Sequence, residues 1–288
     1  MILTSDAGVK FLMLSATCPT LLRADVASQL GITNCLTIHA ATDRPEISYN
    51  VILHNTLDEA KESLLRILKK QLDRKKGDAS FRALVYCRSK DNVDELALKI
   101  GCKPFHADRP EDERAQTFKD WVEGKDKSVV ASSLLGCGIH VPGVTAVFHL
   151  ETPWSVLDFA QESGRGGRDG KPSMSFVFAS RDEREPDGED LYGKKTMRTW
   201  VLQNSVCRRT ALSAFLDEGR TTCVSLPKAI LCDVCRAESK KPHPGRLVKS
   251  LVPSIPDGDI PRLKKPLRVP PTSSSYERDR KRSRELQE

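Results

Sequence analysis

The chain has no apolar run long enough to cross a bilayer. Its first six residues, Met1-Ile2-Leu3-Thr4-Ser5-Asp6, carry no basic segment, and the apolar stretch 11–16 is too short for a secretory signal. Both absences point to an intracellular protein with no membrane contact. The nine cysteines are then thiols or metal ligands and not disulfides. Residues 1–235 also lack a charge excess. From Arg236 onward there are 14 Lys and Arg against 7 Asp and Glu, so the whole net charge of +7 lies there. Any nucleic-acid contact in the body of the chain must come from local placement of charge and not from an overall field. The tail in turn lacks the means to build a core. Eight of the 17 prolines fall between Pro242 and Pro271, followed by Ser273-Ser274-Ser275 and a charged run, so residues 237–288 are expected to be disordered.

What is present reads as an α/β chain. With 39% hydrophobic and 30% charged residues over 288 positions, it can build one full domain with smaller pieces. Apolar runs at 11–14 and 35–38 read as strands, and Asp43-Arg44-Pro45 as a hinge loop. Strand and helix patterns then alternate: strand 49–54, helix 57–72, strand 81–87, helix 91–100, strand 104–106, helix 111–122, strands 128–131 and 144–150, helix 156–162 and strand 173–178. Leu57, Leu64, Leu65, Leu68 and Leu72 fall on one helical face. Such alternation implies a parallel sheet covered by helices on both faces. Ligands of these sheets sit beyond the C-terminal strand ends, so Arg88-Ser89, Ser132-Ser133 and the Gly-Arg stretch after 156–162 are expected near one edge, where they could share a site. A helix spanning 196–216 follows an acidic connector at 181–193.

The Gly-Arg stretch is Gln161 to Gly170, QESGRGGRDG. Three glycines, Gly164, Gly166 and Gly167, let the backbone bend closely, and Arg165 and Arg168 supply permanent planar cations suited to phosphate oxygens. Taken alone, it reads equally as a phosphate grip or as a Gly-rich helix stop with solvated arginines.

Four cysteines cluster as C-x15-C-x8-C-x2-C at Cys207, Cys223, Cys232 and Cys235. The closing C-x2-C suits a tetrahedral all-sulfur site, which leaves no open position and makes its single zinc structural. A redox pair is the competing reading, but it wants a thioredoxin-like strand and helix context that is absent here. Cys18, Cys35, Cys87, Cys102 and Cys137 lie in or beside apolar segments and are expected as buried small hydrophobes.

In this order the elements resemble the RecQ family of superfamily 2 DNA helicases. Ser15-Ala16-Thr17 looks like motif III, residues 83–89 (ALVYCRS) like motif IV, residues 129–149 like motif V, and QESGRGGRDG like motif VI. Cys207-Arg208-Arg209 with Cys223, Cys232 and Cys235 looks like the RecQ zinc-binding module. The resemblance implies a RecA-like parallel sheet, the helicase C-terminal lobe, followed by a small helical zinc module. It divides the chain into a remnant of the first RecA-like lobe (1–44), the second lobe (45–185), the zinc module (186–236) and the tail (237–288). It also implies ATP with magnesium between two lobes, coupled to 3′-to-5′ movement on single-stranded or forked DNA, and a nuclear location in a eukaryote. Carried over, Arg168 is the arginine finger, with Arg165 beside it and Gln161 near the nucleotide. Gly138, His140 and Gly164 belong to the nucleotide side, Ser15 and Thr17 link nucleotide state to DNA contacts, and Arg88, Ser132 and Ser133 touch the DNA backbone.

The sequence departs from the family pattern in two respects. It contains no G-x-x-x-x-G-K-[ST] loop and no D-E-x-H, so it has neither an amide cradle for β- and γ-phosphates nor the acidic pair that holds magnesium. His140 stands where the family pattern has an aspartate. One expectation is the C-terminal part of an ATP-dependent DNA helicase, truncated and inactive as this chain alone. The alternatives are a zinc-stabilised remnant that binds nucleic acid or a protein partner through its basic tail, and a zinc-stabilised interaction module with no nucleic-acid role.

Overall fold

Strand β2 (Arg82–Cys87) is buried along its whole length, because the sequence RALVYC offers apolar groups to both sides of a sheet. Ala83, Val85 and Cys87 enter one layer of the core, while Leu84 and Tyr86 enter the layer opposite. The computed structural model describes residues 12–32, 35–136, 141, 143–188 and 190–240. Around β2 it places β1 (Ile47–His54), β3 (Pro104–Phe105), β4 (Ser128–Ala131), β5 (Val144–Leu150) and β6 (Ser173–Ser180) in the order β1-β6-β5-β2-β4-β3. Every pairing is parallel.

The helices cover both faces. α2 (Leu57–Arg74) and α3 (Lys90–Ile100) bury Leu64, Leu68, Val93 and Leu96 against one layer. Thr56 caps α2 by accepting from the Glu59 amide at 3.3 Å, and Ser89 caps α3 by accepting from the Asn92 amide at 3.2 Å. On the other face lie α4 (Glu111–Glu123), whose Trp121 is buried, and α5 (Val156–Ser163). Three further helices, α6 (Lys194–Leu202), α7 (Arg208–Asp217) and α8 (Asp233–Ser239), follow the last strand, and Met197, Trp200, Leu212 and Val234 join the same apolar cluster as Ile47 and Phe159. They also shield the edge strand. The Asp233 carboxylate accepts from the Val51 amide at 3.0 Å, and Ser48 Oγ donates to the Leu231 carbonyl at 2.9 Å.

The parallel α/β architecture is the one expected, and four local expectations fail. The run 11–14 forms no strand over its described residues 12–14, and none forms at 35–38; Leu12, Leu14, Leu36 and Ile38 are exposed, and no strand among the described residues lies beside them to pair with. A strand needs such a partner whatever its own apolarity. Cys35 is exposed too and is no core residue, and Cys137 lies outside the described residues. α1 (Thr20–Gln29), which buries no residue, carries no amphipathic signal to reveal it. The expected helix 196–216 is two helices, because Gln203 Oε1 accepts from the Ser205 and Val206 amides at 3.2 and 2.9 Å and turns the chain. The tail 241–288 lies outside the described residues. Among the described residues, no helix is long and apolar enough to cross a membrane.

Candidate functional site

The Gly-Arg loop connects α5 to β6, so topology puts it at the N-terminal edge of a parallel sheet. The Gly167 amide donates to the carbonyl of Val144, the first residue of β5, at 2.9 Å. Arg88-Ser89 and Ser132-Ser133 follow the C-terminal ends of β2 and β4. The expectation that these clusters share one edge is therefore wrong: a six-residue strand separates the two edges by about 20 Å. There are two places to consider.

At the N-terminal edge, a cavity of about 570 Å³ is lined by Thr17, Arg44, Gln161, Gly164, Arg165 and Arg168, with Tyr49 and Arg209 among its other walls. Gln161 Nε2 donates to Thr17 Oγ1 at 3.1 Å, and the Thr17 amide donates to Ser15 Oγ at 3.2 Å, so the Ser-Ala-Thr segment meets the Gly-Arg loop. Thr17 is buried, while Ser15, Gln161 and Arg168 are exposed. Arg168 Nε donates to the Gly164 carbonyl at 3.3 Å. Partial desolvation of this exposed side chain on the cavity side, followed by the charges of Arg165 and Arg44, pushes the Arg168 guanidinium below its ordinary range. Four arginines, Arg44, Arg165, Arg168 and Arg209, line this cavity and repel each other, and an anion placed among them relieves that repulsion.

Buried polar groups support the loop from below. The Glu162 carboxylate lies 3.3 Å from His149 Nε2, and burial raises its pKa against the opposing pull of His149. Arg165 lies beside the Tyr86 phenol, whose pKa burial drives far up, so this hydroxyl stays neutral. The glycines serve the chain's own packing more than they open it to a guest. At Gly167, φ is +66°, and a Cβ there would sit 2.7 Å from Glu46 Cγ. At Gly164 a Cβ would meet the Ala160 carbonyl at 2.6 Å.

Sequence reasoning missed Arg44 and Arg209. The Arg44 guanidinium donates to the Gly164 and Gly166 carbonyls at 2.8 and 2.7 Å and pairs with Glu46. Arg209 donates to the Arg44 carbonyl at 2.8 Å and the Ile47 carbonyl at 2.6 Å, and its guanidinium lies 5.2 Å from the Tyr49 ring. The tripeptide Asp43-Arg44-Pro45 read only as a loop, and nothing in its spacing pointed back 120 residues to the glycines. Gly138 and His140 lie outside the described residues.

At the C-terminal edge, the Arg88 guanidinium stacks 3.9 Å over the Trp154 ring and lies 3.7 Å from Glu183. Ser132 and Ser133 are half-buried where β4 ends, and the Ser132 amide donates to the Phe105 carbonyl at 3.1 Å. Glu151 sits nearby with its pKa raised by burial.

The four cysteines do converge. Cys207, at the N-cap of α7, Cys223, Cys232, at the N-cap of α8, and Cys235 place their sulfurs within 4.8 Å of one another. Sulfur separations of 3.6 Å (Cys207 to Cys223) and 4.0 Å (Cys207 to Cys232) match the edge of about 3.8 Å that four thiolates make around an ion 2.3 Å from each. The Cys223 and Cys232 amides donate to the Cys207 and Cys223 sulfurs, both at 3.3 Å, and the contact with Cys207 raises the Cys223 pKa. Neighbouring donors lower the Cys207 pKa, and burial with nearby sulfur charge raises that of Cys235. Donor set and spacing fit a closed metal site.

A family model described as the helicase conserved C-terminal domain matches residues 60–170. A Caenorhabditis briggsae protein named as an ATP-dependent DNA helicase Q1 is 29% identical over 248 residues, covering 82% of this chain and 39% of that protein. Its Caenorhabditis elegans namesake is 30% identical over 227 residues, or 73% of this chain and 34% of the relative. The ATP-dependent DNA helicase hus2/rqh1 of Schizosaccharomyces pombe is 27% identical over 252 residues, 81% of this chain and 18% of that protein. The chain thus spans well under half the length of these relatives. The solved structure of the DEAD-box helicase Mss116 bound to ssRNA and UDP-BeF aligns with a TM-score of 0.52 at 17% identity, covering 60% of this chain and 37% of that one, and shows the RecA-like fold alone. Residues 60–170 thus match the helicase conserved C-terminal domain, and over most of its length the chain is 27–30% identical to RecQ-type DNA helicases.

Proposed function

We propose that this chain supplies the second RecA-like lobe and a zinc-binding module to an ATP-dependent DNA helicase. In this reading Arg168 meets the γ-phosphate of a nucleotide at the N-terminal edge, Arg165 and Gln161 lie beside it, and Gln161 passes the nucleotide state to the Ser15-Ala16-Thr17 segment. The observation that carries it is the bond from Gln161 to Thr17 in a cavity that also holds Arg165 and Arg168. Arg88, Ser132 and Ser133 would contact a DNA backbone at the opposite edge. There Arg88 is already stacked on Trp154, and a phosphate would have to displace Glu183. The four thiolates would hold one zinc ion in a structural role, with no open position for chemistry.

The residues present bind and orient phosphate but do not complete a hydrolytic site, since the sequence contains no lysine-bearing phosphate loop and no D-E-x-H. The test is a hydrolysis assay on the purified 288-residue chain with and without single-stranded DNA. No turnover is expected. DNA-stimulated ATP hydrolysis abolished by Arg168→Ala would refute this division of labour.

A further inference from the structure

We propose that Arg44 is a positioning residue for the arginine loop, set in place by the cysteine-bearing part of the chain. The proposal rests on the reading of Arg165 and Arg168 as phosphate ligands.

Arg44 grips the point where α5 ends and the loop begins. Its Nη1 and Nη2 donate to the carbonyls of Gly164 and Gly166 at 2.8 and 2.7 Å, and its Nε pairs with Glu46. The Gly164 carbonyl is also the one to which Arg168 Nε donates at 3.3 Å, so Arg44 and Arg168 lean on the same oxygen. A planar fork that holds two carbonyls fixes the direction of the backbone between them, which an ammonium cannot do. The loop is fitted to this segment elsewhere too. A Cβ on Gly164 would come within 3.4 Å of Arg44 Nη1, and one on Gly167 within 2.7 Å of Glu46 Cγ.

Arg44 is itself held from the other side. Arg209, two residues beyond Cys207, donates to the Arg44 carbonyl at 2.8 Å, and the Ile230 amide donates to the Pro45 carbonyl at 2.9 Å. Thr221 Oγ1 donates to Asp43 at 2.9 Å, and the Asp217 carboxylate accepts from the Thr42 amide at 3.1 Å and its hydroxyl at 2.9 Å. Every one of these partners lies between Cys207 and Cys232. A continuous set of bonds therefore runs from the four-cysteine region through Arg209 to Arg44 and on to the carbonyl beside Arg168.

The experiment titrates inorganic triphosphate into the full chain by calorimetry, using wild type, Arg44→Ala, Arg44→Lys, Arg168→Ala and the Arg44→Ala/Arg168→Ala pair, with thermal midpoints read alongside. Arg168→Ala is expected to weaken binding about tenfold, as loss of a charged hydrogen bond does. Arg44→Ala and Arg44→Lys are expected to weaken it by a similar factor, and Arg44→Ala should add nothing in the Arg168→Ala background. Wild-type affinity in Arg44→Lys, or additive losses in the pair, would show direct charge contact and overturn the positioning role. Unchanged affinity in Arg44→Ala beside a weakened Arg168→Ala would overturn it alone, whereas unchanged affinity in Arg168→Ala would overturn the reading of the loop and this proposal with it. If Arg44→Ala does not fold, Arg44→Lys, which keeps stem and charge, carries the cycle.

Discussion

Arg208→Ala tests whether the helices after the sheet hang on one guanidinium. Arg208 is 3% exposed. Its Nε and Nη2 donate to the Asp233 carboxylate at 2.9 and 3.0 Å, its Nη1 donates to the Trp200 and Gln203 carbonyls, both at 2.6 Å, and its plane lies 5.2 Å from the Trp200 ring. It therefore joins the end of α6, the start of α7 and the start of α8. Removing it leaves two carbonyls without their donor and Asp233 without its cation, although Asp233 keeps the Val51 and Val234 amides at 3.0 and 2.8 Å.

Breaking a buried ion pair from one side costs about 3–5 kcal/mol. Asp233 is 24% exposed, so water compensates in part and the lower end, about 3 kcal/mol, applies. In a body of this size each kcal/mol moves the thermal midpoint by about 2–4 °C, so a fall of roughly 6–12 °C is expected. The assay is thermal unfolding followed by circular dichroism, at fixed zinc and reductant, for Arg208→Ala, Asp233→Asn and the double variant. The double variant should lose little more than Arg208→Ala, because each single change already breaks the shared bond. A midpoint within about 2 °C of wild type for Arg208→Ala, or fully additive losses, would refute the reasoning.

Three further outcomes are expected. Gly167→Ala should lower stability by at least about 1–2 kcal/mol, from the left-handed backbone alone, with the contact to Glu46 adding to it; denaturant titration checks this, and a neutral result would mean the loop relaxes freely. Burial raises the Glu162 pKa, so the folded state keeps that proton to higher pH than the unfolded chain. This contribution to stability is full below the unfolded value and is lost as pH rises through the folded one. Glu162→Gln should therefore gain on wild type from pH 4 to pH 7 in denaturation experiments. Repeating the comparison in a His149→Gln background removes the imidazole beside Glu162, and a difference independent of pH in that background would contradict the expectation. Freshly purified, reduced protein should carry one zinc ion per chain by elemental analysis, and stripping it with a chelator should lower the melting point. Full stability without metal would rule out a structural ion.

How much of this was legible in the sequence depends on what each feature needed in order to form. β2, β4 and β5 read directly, because an apolar run bounded by turn residues has few other uses, and α2 carried a stripe of leucines on one face. The cysteine cluster was legible as spacing and the Gly-Arg loop as chemistry. The segment before β1 was not, since Leu12, Leu14, Leu36 and Ile38 have the composition of strands but meet no partner strand among the described residues. Arg44 and Arg209 were invisible for a different reason: apart from Glu46 beside Arg44, their acceptors are backbone carbonyls, which leave no residue type to pair in a sequence.

In a parallel sheet a loop from strand to helix lies at the C-terminal edge and a loop from helix to strand at the N-terminal one, and Gly164 to Gly170 stands between α5 and β6. Its position followed from element order alone. A cavity among arginines at one edge therefore cannot touch Arg88 at the other, across the length of a strand. Between them runs a line of buried polar groups. Arg165 lies beside Tyr86, two positions before Arg88 on the β2 side, and Glu162 reaches His149, two positions before Glu151 at the end of β5. Tyr86 and His149 stack with ring centroids 5.5 Å apart. Polar groups so deeply buried are costly to hold in an apolar layer. They lie between the arginine loop and the strand ends that carry Arg88 and Glu151, within the buried layer of the sheet and not around its margin.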